Sequence, residues 1–195
     1  MRWASPCVLA AMLAGIPITR AAVPEGACAR RGTSVVVLLD EHLLLLCRSS
    51  AVEGVYPVAL GKNGVGKRTV NDGRTPVGAY ALGAPRLSRR FGTFIPIDYP
   101  TSEQKMRGYS GGGIGVHGPD RRFSWAGRAT TLIDWTRGCV AVSSDEAIGE
   151  IASWVIRERA GIVYLEGASP MATAATEGEA RGRGRDDAAG VRREQ

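Results

Sequence analysis

Reactive side chains are scarce in this 195-residue sequence, which holds two histidines and four cysteines, and one of each stands among glycines: His117-Gly118 and Thr136-Arg137-Gly138-Cys139. A thiol attacks a carbonyl only as the thiolate. A neighbouring imidazole supplies both the base that takes its proton and the acid that later protonates a leaving amine. The separation of 22 positions lets a strand end and a returning loop bring the two together. A glycine before the cysteine admits a substrate closely. The amides of Gly138 and Cys139 then face a developing oxyanion, where one such donor contributes about 3 kcal/mol.

Other chemistries fit less well. Gly61-Lys62-Asn63-Gly64-Val65-Gly66-Lys67 has the spacing of a phosphate-binding loop, but Arg68 stands where a hydroxyl must reach magnesium, and Thr69 to Pro76 cannot begin the required helix. Gly113-Ile114-Gly115-Val116-His117-Gly118 matches a dinucleotide fingerprint, yet Pro119-Asp120 follows at once, so it reads as a strand ending in a tight turn. His42 and His117 lack any paired metal-ligand spacing, so no metal and no cofactor are expected, and His42 reads as a solvated turn residue. The net charge of +6 invites a nucleic-acid reading. Against it, only three of the 25 basic residues are lysines, at 62, 67 and 105, and they are scattered rather than interleaved with aromatics. A modest positive surface suits an anionic polymer instead.

The length allows one full-sized domain with tails, and 44% hydrophobic with 23% charged residues exclude a wholly disordered chain and a multi-span membrane protein. Residues 1–22 read as a secretory signal, with a basic start, an apolar run from Val8 to Ile18 too short to cross a bilayer, and small residues near a cut. Export to the periplasm or cell envelope follows. Residues 23–32 read as a linker. From Ala168 to Gln195 aromatics vanish and Ala, Gly, Glu, Arg and Asp dominate, as in a disordered tail. With Cys7 lost in the signal, Cys28, Cys47 and Cys139 remain, an odd number that leaves one thiol unpaired. Cys28 and Cys47 either pair near the base of a first hairpin or stay as two part-buried thiols.

The elements expected to hold the reactive pair are short strands. Thr33 to Asp40 and Leu43 to Arg48 form a hairpin, and Val55 to Leu60 a third strand with Pro57 marking an edge or bulge. Thr75 to Leu82 and Phe91 to Tyr99 follow between glycine and proline punctuation. One helix stands out after the cysteine: Ser143 and Glu146 make a capping box, Ile148, Ile151 and Val155 share a face, and Gly161 stops it before a closing strand from Ile162 to Leu165.

Taken in order, Thr75-Pro76-Val77-Gly78-Ala79-Tyr80, Gly115-Val116-His117-Gly118 and Thr136-Arg137-Gly138-Cys139-Val140 resemble the L,D-transpeptidase (YkuD-type) catalytic domain over residues 33–167. The resemblance implies a mainly β, sandwich-like domain with one main helix after the cysteine. It implies Cys139 as nucleophile, His117 as its base, the Gly118 carbonyl as the group that orients the ring, and Gly138 with Cys139 as the oxyanion hole. The implied substrates are peptidoglycan stem peptides: the thiol attacks the carbonyl of a diamino acid at the third position and expels a terminal D-alanine, and the acyl group passes to an amine. Two rivals stay open, a peptidoglycan amidase or L,D-carboxypeptidase that uses water, and a non-catalytic wall-binding module. Arg137 stands where the family commonly has histidine, and Ala141 where it has arginine or asparagine, which leaves the acceptor open. Arg137, Thr136 and Tyr99 are the substrate-binding candidates, Arg137 for a carboxylate and Tyr99 for the acyl-donor cleft. Asp134 reads as a turn cap in preference to a partner of His117.

Overall fold

The two aliphatic runs near the start form β1 (Ser34–Leu38) and β2 (Leu43–Arg48), paired antiparallel across a turn in which His42 takes a positive φ of 53°. Continuous apolar runs, rather than alternation, mark strands buried on both faces. Here Val35, Val37, Leu44 and Leu46 enter the main core, while Val36, Leu38, Leu43 and Leu45 enter a smaller cluster on the opposite face. The cover for that second face is residues 23–32. They fold into turns, and a disulfide from fully buried Cys28 to Cys47 pins them down. Closing a loop of this length removes about 3 kcal/mol of chain entropy from the unfolded state.

The computed structural model describes residues 23–167; the leader expected at 1–22 and the tail expected at 168–195 lie outside the described residues. After β3 (Ala51–Ala59) come β4 (Gly78–Ala81), β5 (Arg86–Ser88), β6 (Gly92–Pro96), α1 (Ser102–Met106), β7 (Gly115–His117), a 3-10 segment (Arg121–Thr131), β8 (Val140–Val142), α2 (Asp145–Glu158) and β9 (Ile162–Glu166). The nine strands lie in the order β4-β9-β1-β2-β3-β8-β7-β6-β5. The sheet curls until the end of β4 meets the end of β6: Leu82 bridges Ile97, Gly83 donates to the Pro96 carbonyl at 2.8 Å, and Asp98 donates to that of Ala81 at 3.0 Å. This is a mainly β domain with one main helix, α2. No helix among the described residues is long and apolar enough to cross a membrane.

Several boundaries shift for local reasons. β3 starts at Ala51 and pairs with β2 as far as Pro57, then with β8 from Val58. Pro57 thus sits where its missing N–H interrupts no ladder. The stretch from Thr75 to Leu82 yields only β4, because Thr75 is buried in a bridge to Val65, and Phe91 precedes β6 because Gly92 turns the chain at φ 71°. In α2 the cap is Ser144, one residue beyond the expected Ser143, and it accepts from the Ala147 amide; Arg159, left-handed at φ 53°, ends the helix before Gly161 does. Ile148, Ile151, Trp154 and Val155 of α2 seat it on the main core.

Candidate active site

β7 and β8 are adjacent and parallel, with Val116 opposite Val140 and His117 opposite Ala141. Val116, Val140 and Val142 point into the main core. With side chains alternating along a strand, His117, Ala141 and Cys139 therefore share the other face. Cys139 lies two residues before the partner of His117, immediately ahead of β8. Both side chains line one cavity of about 280 Å³, together with Lys67, Asn71, Arg90, Phe91, Gly111 to Gly113, Trp135 and Arg137.

The imidazole is locked. Its Nδ1 lies 2.6 Å from the Gly118 carbonyl, which can only accept, so Nδ1 carries the proton and Nε2 is left as the basic nitrogen. Phe91 stacks on the ring at 3.8 Å between centroids and 19° between planes, Phe94 lies parallel at 6.1 Å, and Trp135 meets it edge-on at 5.8 Å. Burial, reinforced by the charge of Arg90 against the opposing pulls of the Gly118 carbonyl and Asp120, lowers the His117 pKa from 6.5 to about 4.

Cys139 is the free cysteine among the described residues. Its thiol donates to the Gly113 carbonyl at 3.6 Å. Burial raises its pKa from 9.0 to about 11, against the Gly115 amide and the charges of Lys67 and Arg90, which favour the thiolate. At neutral pH the resting pair is therefore a neutral thiol and a neutral imidazole.

These two shifts set opposite limits on stability. Between pH 6.5 and about 4 the unfolded chain binds a proton at His117 that the folded chain refuses, so stability falls with pH there, by about 3 kcal/mol in all. Between pH 9 and about 11 the unfolded chain releases a proton that folded Cys139 keeps, so stability falls as pH rises. Urea midpoints measured across pH should show a plateau from about 6.5 to 9. Cys139→Ala should flatten the alkaline limb between about pH 9 and 10, above which Tyr56, Tyr80 and Tyr99, whose pKa values burial raises, continue the fall. A His117 substitution should flatten the acid limb down to about pH 4, below which Asp72 and Asp120 continue it.

The turn before Cys139 departs from the sequence expectation. The Gly138 amide, expected to face an oxyanion, donates to the Thr136 hydroxyl at 3.0 Å, and that hydroxyl donates to the Cys139 carbonyl at 2.7 Å. Thr136 is thus buried with both of these bonds inside the turn, and it also lines the cavity. Glycine at 138 answers a steric need: φ is 123°, and a Cβ there would lie 2.4 Å from the Arg74 carbonyl oxygen. Tyr99 is also displaced from its expected role. It is 5% exposed in the main core, and its hydroxyl donates to the Lys67 carbonyl at 2.9 Å instead of lining a cleft. Arg137 is exposed at the cavity. Asp134 accepts from the Leu60 amide at 2.7 Å and lies 3.1 Å from His42, so it ties the turn to the β1–β2 hairpin and does not orient His117.

Phe91, Trp135, Arg90 and Lys67 were not legible as site residues. The last had stood out only as part of a failed phosphate-loop pattern. Arg90 shares Asp120 with Arg122; Asp120 is 2% exposed, and the Arg122 and Arg90 guanidiniums hold its carboxyl well below the usual range. Asp120 also caps the 3-10 segment by accepting from the Arg122 amide at 3.1 Å.

No curated protein matches the chain. Among solved structures, the helical cell shape determining protein Pgp2 from Campylobacter jejuni is similar at 22% identity and TM-score 0.57, over 69% of this chain and 47% of that one. The L,D-transpeptidase (residues 123–326) from Xylanimonas cellulosilytica shares 21% identity over 69% of this chain and 60% of that one, at TM-score 0.41. The chain thus spans about half the length of the first of these and under two thirds of the second. The model of the YkuD family, the L,D-transpeptidase catalytic domain, matches residues 32–165. The chain belongs to that family.

Proposed function

We propose that the protein is an exported, cysteine-dependent acyltransferase that acts on peptidoglycan stem peptides through a thioester on Cys139. The observation that supports it best is the placement of Cys139 and His117 on one face of adjacent parallel strands, with His117 held in the tautomer that leaves Nε2 basic.

In the acylation step the thiol exchanges the Gly113 carbonyl for Nε2 of His117, the proton moves to Nε2, and the sulfur attacks the carbonyl of the third stem residue. The S–C bond forms, the C–N bond to the terminal D-alanine breaks, and the imidazolium returns its proton to the departing amine. An amine, or water, then attacks the thioester and releases Cys139. Because the resting pair is neutral, proton transfer accompanies attack instead of preceding it. The Cys139 amide supplies the oxyanion donor of the turn, and the Gly138 amide joins it only when Thr136 releases it.

Mass spectrometry of the protein mixed with stem tetrapeptide should show an adduct on Cys139 equal to the peptide less D-alanine. An intact fold that stays unmodified would overturn the reading. The products name the acceptor: cross-linked dimers report an amine, and free tripeptide reports water.

A further inference from the structure

The cavity wall contains a lysine that the mechanism does not use. Lys67 has a side chain only 3% exposed, yet it lines the same cavity as Cys139 and His117. Its ammonium donates to Asp72 at 2.7 Å and to the Thr69 carbonyl at 3.0 Å. An ammonium has three donors, and among the described residues the third has no partner.

The surrounding loop holds this charge in place. Asp72 accepts from the amides of Arg68 at 2.8 Å, Thr69 at 3.0 Å and Arg74 at 3.1 Å. Tyr99 donates to the carbonyl of Lys67 itself at 2.9 Å. On the far side the absent side chain of Gly111 leaves room: a Cβ there would lie 3.2 Å from Cε and 3.6 Å from Nζ of Lys67. Since Asp72 already gathers three amides, the loop does not need a lysine to be fixed. A buried ammonium with a free donor is costly unless something completes it.

The chemistry of the wall says what completes it. Lys67, Arg90 and Arg137 line the cavity, and no carboxylate does. Arg90 is half exposed and shares Asp120 with Arg122, and Arg137 stands exposed at the surface, so Lys67, paired with Asp72 but with a donor to spare, is the buried cation of the cavity wall. We propose that Lys67 receives a carboxylate of the acyl-donor peptide and makes the cavity select anionic over amidated stems. This rests on the proposed function for the class of substrate. Two carboxylates lie on the residues that flank the scissile amide, that of the terminal D-alanine and that on the side chain of the third-position diamino acid.

The test is binding without turnover. In the full chain carrying Cys139→Ala, calorimetry compares three stem tetrapeptides: unmodified, amidated at the terminal residue, and amidated on the diamino-acid side chain. One amidated peptide should bind about 10- to 100-fold more weakly than the parent, the size of a lost charge-assisted bond. That identity names the carboxylate. The difference should vanish when Lys67→Met is added, and Lys67→Arg should retain part of it. If Lys67→Met disturbs the loop by stranding Asp72, Lys67→Met with Asp72→Asn keeps the cluster neutral and carries the same expectation. Retained affinity for the amidated peptide reports an intact cavity. Equal weakening of all three peptides by Lys67→Met marks a purely structural lysine and overturns the proposal, as does absence of peptide binding or no change at all. Failure of the parent reading is seen separately, as absence of the Cys139 adduct in the unsubstituted protein.

Discussion

Cys139→Ser should lower turnover of a stem tetrapeptide by on the order of 10⁴-fold or more, and Cys139→Ala should abolish the acyl adduct altogether. The serine protein is the more informative of the two. An alcohol is a much weaker acid than a thiol, and the base available to it is an imidazole whose pKa lies at about 4. Such a weak base cannot compensate for a poorer proton donor. Neither substitution should harm the fold near neutral pH, since the thiol makes a single long bond to Gly113. Parallel urea titrations separate lost chemistry from lost structure; a serine protein with near-native turnover would remove Cys139 from the nucleophile's role.

His117→Gln is expected to lower kcat/KM by about 10²- to 10⁴-fold, the ordinary share of a general acid–base. Glutamine keeps an N–H that can reach the Gly118 carbonyl but offers no base toward the thiol. The side chain fills a slot between Phe91 and Phe94, so the variant also loses packing and a modest part of its stability. Two readouts divide these effects. The double variant with Cys139→Ala should be no less active than Cys139→Ala alone, because the pair acts as one unit. Alkylation of Cys139 by iodoacetamide should titrate near pH 11 in both the unsubstituted and His117→Gln proteins, because burial sets the thiol's acidity. A midpoint that rises sharply in the variant would show instead that the imidazole sets it.

The parts of the molecule that were legible in the sequence share a physical origin. β1, β2 and β9 are dense in β-branched and aliphatic residues, and α2 repeats its apolar residues at helical spacing, so local pattern and tertiary burial agree. β5, α1 and the 3-10 segment carry no such pattern, and they were missed. α1 did bear a signature, a capping box between Thr101 and Gln104. At the site, the order of the histidine and cysteine motifs pointed to His117 and Cys139, and both line one cavity. Their environment was hidden, because Lys67, Phe91 and Trp135 reach the cavity from three separate loops and strand ends, contacts that no local spacing encodes. The hydroxyl of Thr136 illustrates the same limit. Its residue type fits a substrate contact or a turn bond equally, and only the path of the backbone decides between them.

The meeting of Leu82 with Ile97 bears on how the protein behaves at high concentration. An open nine-stranded sheet would present two long rows of unpaired amides and carbonyls to other molecules, a template for aggregation. Curling one margin onto another shortens what is offered, and the outermost strand, β5, is three residues long and begins with Arg86. Self-association through strand addition is thereby discouraged by geometry and by charge, even though Leu87 at its centre is 90% exposed.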